Sequence, residues 1–181
     1  MFAVVLTGPP GAGKTVALTA LSDALVGDQV EHAAVDVDEV AWSYPFLGLV
    51  QRCDHLRAWC DSHRRAGHQV LLVAEVIESP GHLCDVLDAL GADEHLLVRL
   101  EARLATLRQR IIAREPPGWF GLAYLLDETE SLHLSLRELD GVHMVLDTER
   151  LGPTEITDRM RSARPEKLSH GARQGAGRVA P

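Results

Sequence analysis

The sequence alternates between continuous apolar runs and stretches in which apolar residues return every three or four positions. Residues 2–7 form an apolar run closing in a Gly/Pro-rich turn, which predicts a parallel strand buried on both faces. Val16, Leu18, Leu21 and Leu25 then recur at helical spacing before Gly27, predicting a helix over 15–25 with a glycine stop. A second strand is predicted at 32–36. Leu49, Cys53, Leu56, Cys60 and His63 share one stripe of a helix that ends at Gly67, and 70–74 reads as the third strand. Ser79-Pro80 caps and opens a helix to Leu90, with Gly91 just beyond. A fourth strand at 96–100 leads into an arginine-rich helix over 102–114. Glu115-Pro116-Pro117-Gly118-Trp119-Phe120-Gly121 breaks it, so a lid is expected at about 114–122. Helix over 122–139, a fifth strand at 142–146 and a last helix from Gly152-Pro153 to about Ala163 complete the pattern. Such alternation over 1–163 predicts one α/β domain around a parallel sheet. Gly, Ala, Arg, Ser and Pro dominate 164–181, which is expected to be a disordered tail.

Composition narrows the function classes. With 181 residues and 46% hydrophobic content, one core is expected. The 18 Lys plus Arg stand against 26 Asp plus Glu, a formal charge of −8, so the polyanion attraction behind nucleic-acid binding is missing. Any anion must meet a local positive site. No apolar run reaches the roughly 18 residues needed to span a bilayer, and no signal peptide is read at the N-terminus, so a cytoplasmic protein without membrane contact is expected. Cys53, Cys60 and Cys84 form no Cys-x-x-Cys pair, which fits reduced thiols, and the nine histidines show no metal-ligand spacing on one helix.

The chemistry begins at Gly8-Pro9-Pro10-Gly11-Ala12-Gly13-Lys14-Thr15. This matches the Walker A pattern Gly-x-x-x-x-Gly-Lys-Ser/Thr, and it stands between a buried strand and a helix, the context that gives the pattern meaning. Glycines let successive amides curl round a phosphate chain, and the helix start adds its positive dipole end. Lys14 reaches the β- and γ-phosphates and the Thr15 hydroxyl is placed for Mg2+, with Val16 beginning the nucleotide-side face. The chain has no Asn, so the Asn/Thr-Lys-x-Asp segment that reads guanine is absent and a guanine-specific switch is disfavoured.

Around this loop the sequence resembles the small-molecule P-loop kinases, among them shikimate, gluconate, adenylylsulfate and nucleoside monophosphate kinases and chloramphenicol phosphotransferase, over about residues 2–163. Asp36-Val37-Asp38 looks like the Asp-x-Asp closing their second strand. Leu107-Arg108-Gln109-Arg110-Ile111-Ile112-Ala113-Arg114 is similar to their Leu-x-x-Arg-apolar-x-x-Arg before the lid. Asp147-Thr148-Glu149 through Gly152-Pro153 looks like the loop bordering adenine. The resemblance implies a three-layer sandwich with strand order 2-3-1-4-5 and a short lid. It further implies ATP and Mg2+, with Gly8 to Val16, Arg110, Thr148 and Pro153 around the nucleotide and Thr15 and Asp36 at the metal. Asp38 would contact the acceptor hydroxyl, and Arg110 and Arg114 would neutralise the migrating phosphoryl group.

Phosphoryl transfer asks the protein to position reactants and neutralise charge, and these residue types supply a cradle, a metal site, arginines and a carboxylate. Four-residue spacing puts Arg110 and Arg114 on one helix face. Asp38 is preferred as base because alternation along an extended chain turns only one of the Asp pair to the metal; a helix N-cap plus a surface charge is the alternative. After strand three, Ala74-Glu75-Val76-Ile77-Glu78 departs from the Asp-Gly of nucleoside monophosphate kinases, and Glu75 reads equally as a holder of metal-bound water or a plain strand-end carboxylate. Trp42, Tyr44 and Phe46 follow the Asp pair, and Trp119, Phe120 and Tyr124 occupy the lid. Trp42, Tyr44 and Trp119, with Asp38 and Glu75, are expected at the acceptor, by stacking or as ordinary packing. The expected partner is a small-molecule acceptor bearing a hydroxyl, and the protein is expected to be a monomer or homodimer. An ATP-binding regulatory module with slow hydrolysis is the alternative.

Overall fold

The computed structural model describes residues 1–40 and 43–169. Five strands, β1 (Phe2–Thr7), β2 (His32–Asp36), β3 (Val70–Ala74), β4 (Glu94–Glu101) and β5 (Met144–Asp147), form one sheet in the order β2-β3-β1-β4-β5. All four pairings are parallel. Helices α1 (Lys14–Gly27), α2 (Val37–Val40), α3 (Leu49–Arg65), α4 (Pro80–Leu90), α5 (Leu104–Arg114), α6 (Leu122–Ser135), α7 (Pro153–Ala163) and α8 (Pro165–Leu168) cross between and follow the strands.

Every residue of β1 is buried because helices cover both faces of the central strand. Period-two alternation sends Phe2, Val4 and Leu6 to one side, where they meet Leu18, Leu21 and Leu25 of α1 and Ile156 and Met160 of α7. Ala3 and Val5 face the other side, against Cys53, Leu56 and Cys60 of α3, Val86 and Leu90 of α4, and Leu132 at the end of α6. The result is a three-layer sandwich with a core on each side of the sheet. Asp36 pairs with Ala74 and Leu6 with Ala74 across the inner strands, so the carboxyl ends of β2, β3 and β1 finish level. Beyond those ends, where connections leave to opposite sides of the sheet, open α/β proteins form their crevice.

Several boundaries shift. The helix expected to reach residue 139 stops at Ser135 in a 3-10 turn over Leu136–Glu138, and β5 begins at Met144 instead of 142. The tail is corrected more substantially. Composition placed everything from 164 outside the core, yet α8 returns Leu168 to it with 0% of its surface exposed. Arg161 holds the Leu168 carbonyl oxygen at 3.2 Å, and Lys167 pairs with Glu94 at 2.9 Å. One apolar residue per turn is enough to dock a single helical turn, and a compositional window does not register it. Residues 170–181 lie outside the described residues. Leu168→Ala is therefore expected to cost about 2–4 kcal/mol and lower the melting temperature by about 5–10 °C, read by thermal denaturation.

Candidate functional site

The loop after β1 is shaped by three glycines with positive φ: Gly8 at 149°, Gly11 at 79° and Gly13 at 93°. Gly11 is required twice over, because a Cβ there would stand 2.8 Å from the Leu107 carbonyl oxygen of α5. Gly11→Ala is expected to destabilise the fold by about 1–3 kcal/mol, measured by denaturant unfolding, as α5 is pushed off the loop. The Ala12 amide is spent on the Pro9 carbonyl at 3.1 Å, tightening the turn. At Gly13, which opens α1, no side chain caps the helix and no acidic residue occupies its first turn, so its free amides and dipole face the cleft uncontested.

Lys14 donates to the Gly8 carbonyl at 2.9 Å. Burial pushes its ammonium below the ordinary lysine value, and the charges of Asp38, Asp36 and Glu75 oppose that shift while Arg114 adds to it. Five ionic groups from four parts of the chain thus meet at the loop. Thr15 donates from its hydroxyl to Asp36 Oδ2 at 2.7 Å, so a hydroxyl and a carboxylate stand together beside the cradle. No group of three His, Cys, Asp or Glu among the described residues could hold a metal alone. This set still fits Mg2+, a hard cation that takes one or two protein oxygens and completes its shell with phosphate and water.

Asp36 and Asp38 are separated by a turn the sequence did not announce. The chain leaves β2 at Asp36 and enters α2 at Val37, so the alternation argument does not apply to the pair. Asp36 Oδ1 instead accepts from the Asp38 amide at 3.3 Å while Oδ2 takes the Thr15 hydroxyl. The N-cap alternative is thus seen at Asp36, and Asp38 looks outward from the helix turn.

Two cavities flank the loop. One, of about 380 Å3, is lined by Gly13, Val16, Arg110, Thr148 and Pro153. Arg110 closes its floor, donating to the Gly11 carbonyl at 3.1 Å, the Thr148 hydroxyl at 2.9 Å and the Thr148 carbonyl at 2.9 Å. The second, about 450 Å3, is the cleft at the Walker A loop, where Lys14, Thr15, Asp36, Asp38, Arg110 and Arg114 converge. Arg114 is 60% exposed and, among the described residues, is bonded by its neighbour Glu115, at 2.6 and 2.8 Å. Arg110 is therefore a strut between loops, and Arg114 is the more exposed guanidinium of the two.

A third cavity, of about 640 Å3, opens on the far side of Asp38, lined by Asp38, Glu39, Phe46, Arg52, Tyr124 and Glu128, with Leu47. Arg52, which the sequence motifs do not single out, organises it. Its Nη2 donates to Asp38 Oδ1 at 2.8 Å and to Glu75 Oε1 at 2.6 Å. Its position one residue before the buried Cys53 puts it on the flank of the apolar stripe, the one signal available beforehand. Glu75 extends the line of β3, its amide donating to the Leu6 carbonyl at 3.0 Å, and its side chain is 2% exposed.

Burial raises the Glu75 carboxyl to about 7, against the pull of Arg52 and with a further push from Asp38. The folded protein thus holds a proton there that the unfolded chain releases near 4.5, so stability is lost as pH rises from about 4.5 to 7. Glu75→Gln cannot ionise, and its urea midpoint relative to the parent is expected to be higher at pH 8 than at pH 5.

Tyr44 is 95% exposed and Trp119 leans on Gly121, where a Cβ would meet its ring; neither is among the residues lining the third cavity, and Phe46 and Tyr124 stand there instead. Glu75 lies beneath the cavity, behind Arg52. Trp42 lies outside the described residues.

No family model and no curated protein sequence matches the chain. Solved structures do. A sugar kinase from Janibacter sp. HTCC2649 is 19% identical and superposes with a TM-score of 0.66 over 94% of this chain and 99% of its own. An APS kinase from Mycobacterium tuberculosis, solved with AMPPNP and APS, is 16% identical with a TM-score of 0.64 over 88% and 95% of the two chains. A gluconokinase from Sinorhizobium meliloti 1021 is 18% identical, with a TM-score of 0.62 over 92% and 93%. Identities this low speak for architecture alone, and with the strand order and loop described above the chain has the fold of the small-molecule P-loop kinases.

Proposed function

We propose that this protein transfers the γ-phosphoryl group of ATP to a hydroxyl of a small molecule. The observation that carries the proposal is the place of Asp38, which lines both the phosphate cleft and the 640 Å3 cavity and so stands where an acceptor would meet the nucleotide. The base lies in the cavity between Arg110, Thr148 and Pro153, and the phosphates follow the loop to Lys14. Thr15 and Asp36 would hold Mg2+, which when bound neutralises charge on the β- and γ-phosphates.

Asp38 orients the acceptor hydroxyl and takes its proton. A bond forms between the acceptor oxygen and the γ-phosphorus as the bond from that phosphorus to the β–γ bridging oxygen breaks, and ADP leaves. Lys14 and Arg114 neutralise the oxygens that gain charge, while Arg52, pinned by Glu75, fixes the direction of the Asp38 carboxylate. The test is to incubate the protein with ATP, Mg2+ and a pool of hydroxylated metabolites and to look by mass spectrometry for a product heavier by one phosphoryl group. ADP formation that rises with the pool, together with such a product, supports the reading. ATP binding with slow hydrolysis indifferent to every acceptor would favour a regulatory module.

A further inference from the structure

The third cavity carries an unusual charge balance for a site beside a triphosphate cradle, and it bears on the acceptor; the inference rests on the phosphotransferase reading above. Its lining holds three carboxylates, Asp38, Glu39 and Glu128, and one cation, Arg52. That cation is already spoken for, since a single guanidinium nitrogen serves both Asp38 and the buried Glu75. Neither Glu39 nor Glu128 has an ion-pair partner among the described residues. Burial raises the Glu128 carboxyl, the negative charges of Glu78 and Asp38 raise it further, and Arg52 opposes them.

The second observation is independent of charge. Phe46 and Tyr124, 83% and 72% exposed, stand in the same lining from opposite elements, one before α3 and one on α6. Exposed aromatic rings beside unpaired carboxylates form a surface that attracts a cation by its charge and by the ring quadrupole together. A sugar acid or phosphate ester would instead be set against Glu39 and Glu128 with no free basic side chain among the described residues of the lining to receive it. The basic groups Lys14, Arg110 and Arg114 lie in the phosphate cleft, on the other side of Asp38.

We propose that the acceptor is a hydroxyl compound that also carries a cationic amine, its ammonium held between Glu39 and Glu128 against Phe46 and Tyr124 while its hydroxyl meets Asp38. Glu39 and Glu128 then set specificity without entering the chemistry of transfer.

The experiment loads the full chain with Mg2+ and a non-hydrolysable ATP analogue, whose own binding is measured first, and titrates three small probes by NMR. These are choline, its uncharged isostere 3,3-dimethylbutan-1-ol, and the anion 3-hydroxybutyrate. Choline is expected to bind at least about tenfold more tightly than the isostere, with the anion weakest. Glu39→Gln and Glu128→Gln should each weaken choline about 3- to 10-fold and leave the isostere unchanged. Equal binding of choline and isostere, tighter binding of the anion, no measurable choline binding to the loaded protein, or indifference of choline to both variants overturns the proposal. In the acceptor screen, a carboxylate or phosphate ester turned over in preference to amines also overturns it and leaves the phosphotransferase reading intact. Failure of the analogue to bind at all removes both.

Discussion

Asp38→Asn is expected to bind ATP as the parent does and to transfer phosphoryl groups about 10² to 10⁴ times more slowly. The two halves of that expectation come from different parts of the site. On the proposed function, nucleotide affinity comes from the loop amides, Lys14 and the cavity floored by Arg110, and the Asp38 side chain contributes to none of their hydrogen bonds among the described residues. Transfer depends on a group that can receive the acceptor proton as the new oxygen–phosphorus bond forms, and an amide is not a base. Asn still offers an oxygen to Arg52, so the α2 turn and the Arg52–Glu75 pair are retained and the loss reports on proton acceptance. Asp36→Asn should behave differently, raising the Mg2+ concentration needed for half-maximal activity, because its carboxylate stands with the Thr15 hydroxyl. Single-turnover rates across a Mg2+ series separate the two variants. Normal transfer by Asp38→Asn alongside an inactive Asp36→Asn would reverse the roles assigned to the pair.

Lys14→Ala is expected to lower kcat/KM by about 10³ or more and to weaken ATP binding, with the folded structure kept. The ammonium is the one basic side chain at the head of α1, and three carboxylates, Asp36, Asp38 and Glu75, lie within electrostatic reach of it. Without it the phosphate cleft presents those carboxylates to an incoming triphosphate, leaving Arg114 and the helix dipole to offset them. Its contribution to folding is small by comparison, a single part-buried hydrogen bond to the Gly8 carbonyl among the described residues. Calorimetric ATP titration and far-UV circular dichroism check both parts. Wild-type affinity and turnover in this variant would remove the phosphate-cradle assignment.

The elements most legible beforehand were those whose signal is local. β3 and α4 stand where alternation of apolar runs, Ser79-Pro80 and Gly91 placed them, because a strand buried on both faces and a capped helix are written in consecutive residues. The Walker A loop was legible for the same reason, since its glycines answer to their own φ angles. The kink that separates Asp36 from Asp38 was not: Val37–Val40 is too short for any periodicity to show, and the Asp36 carboxylate, bonded to the Asp38 amide and to Thr15, helps decide where the strand gives way.

By itself the sequence determined the order of strands and helices, the phosphate-binding loop and the helix face shared by Arg110 and Arg114, all properties of residues within a few positions of one another. Tertiary structure alone decided which carboxylates Arg52 would join, since Asp38 and Glu75 reach it from separate connections 14 and 23 residues away in the chain. It decided likewise that Leu168 belongs to the core and that Phe46 and Tyr124 come together in the lining of the 640 Å3 cavity beside Asp38. Charge pairing and burial depend on distance in space, and a sequence specifies that only after the sheet has aligned the ends of its strands.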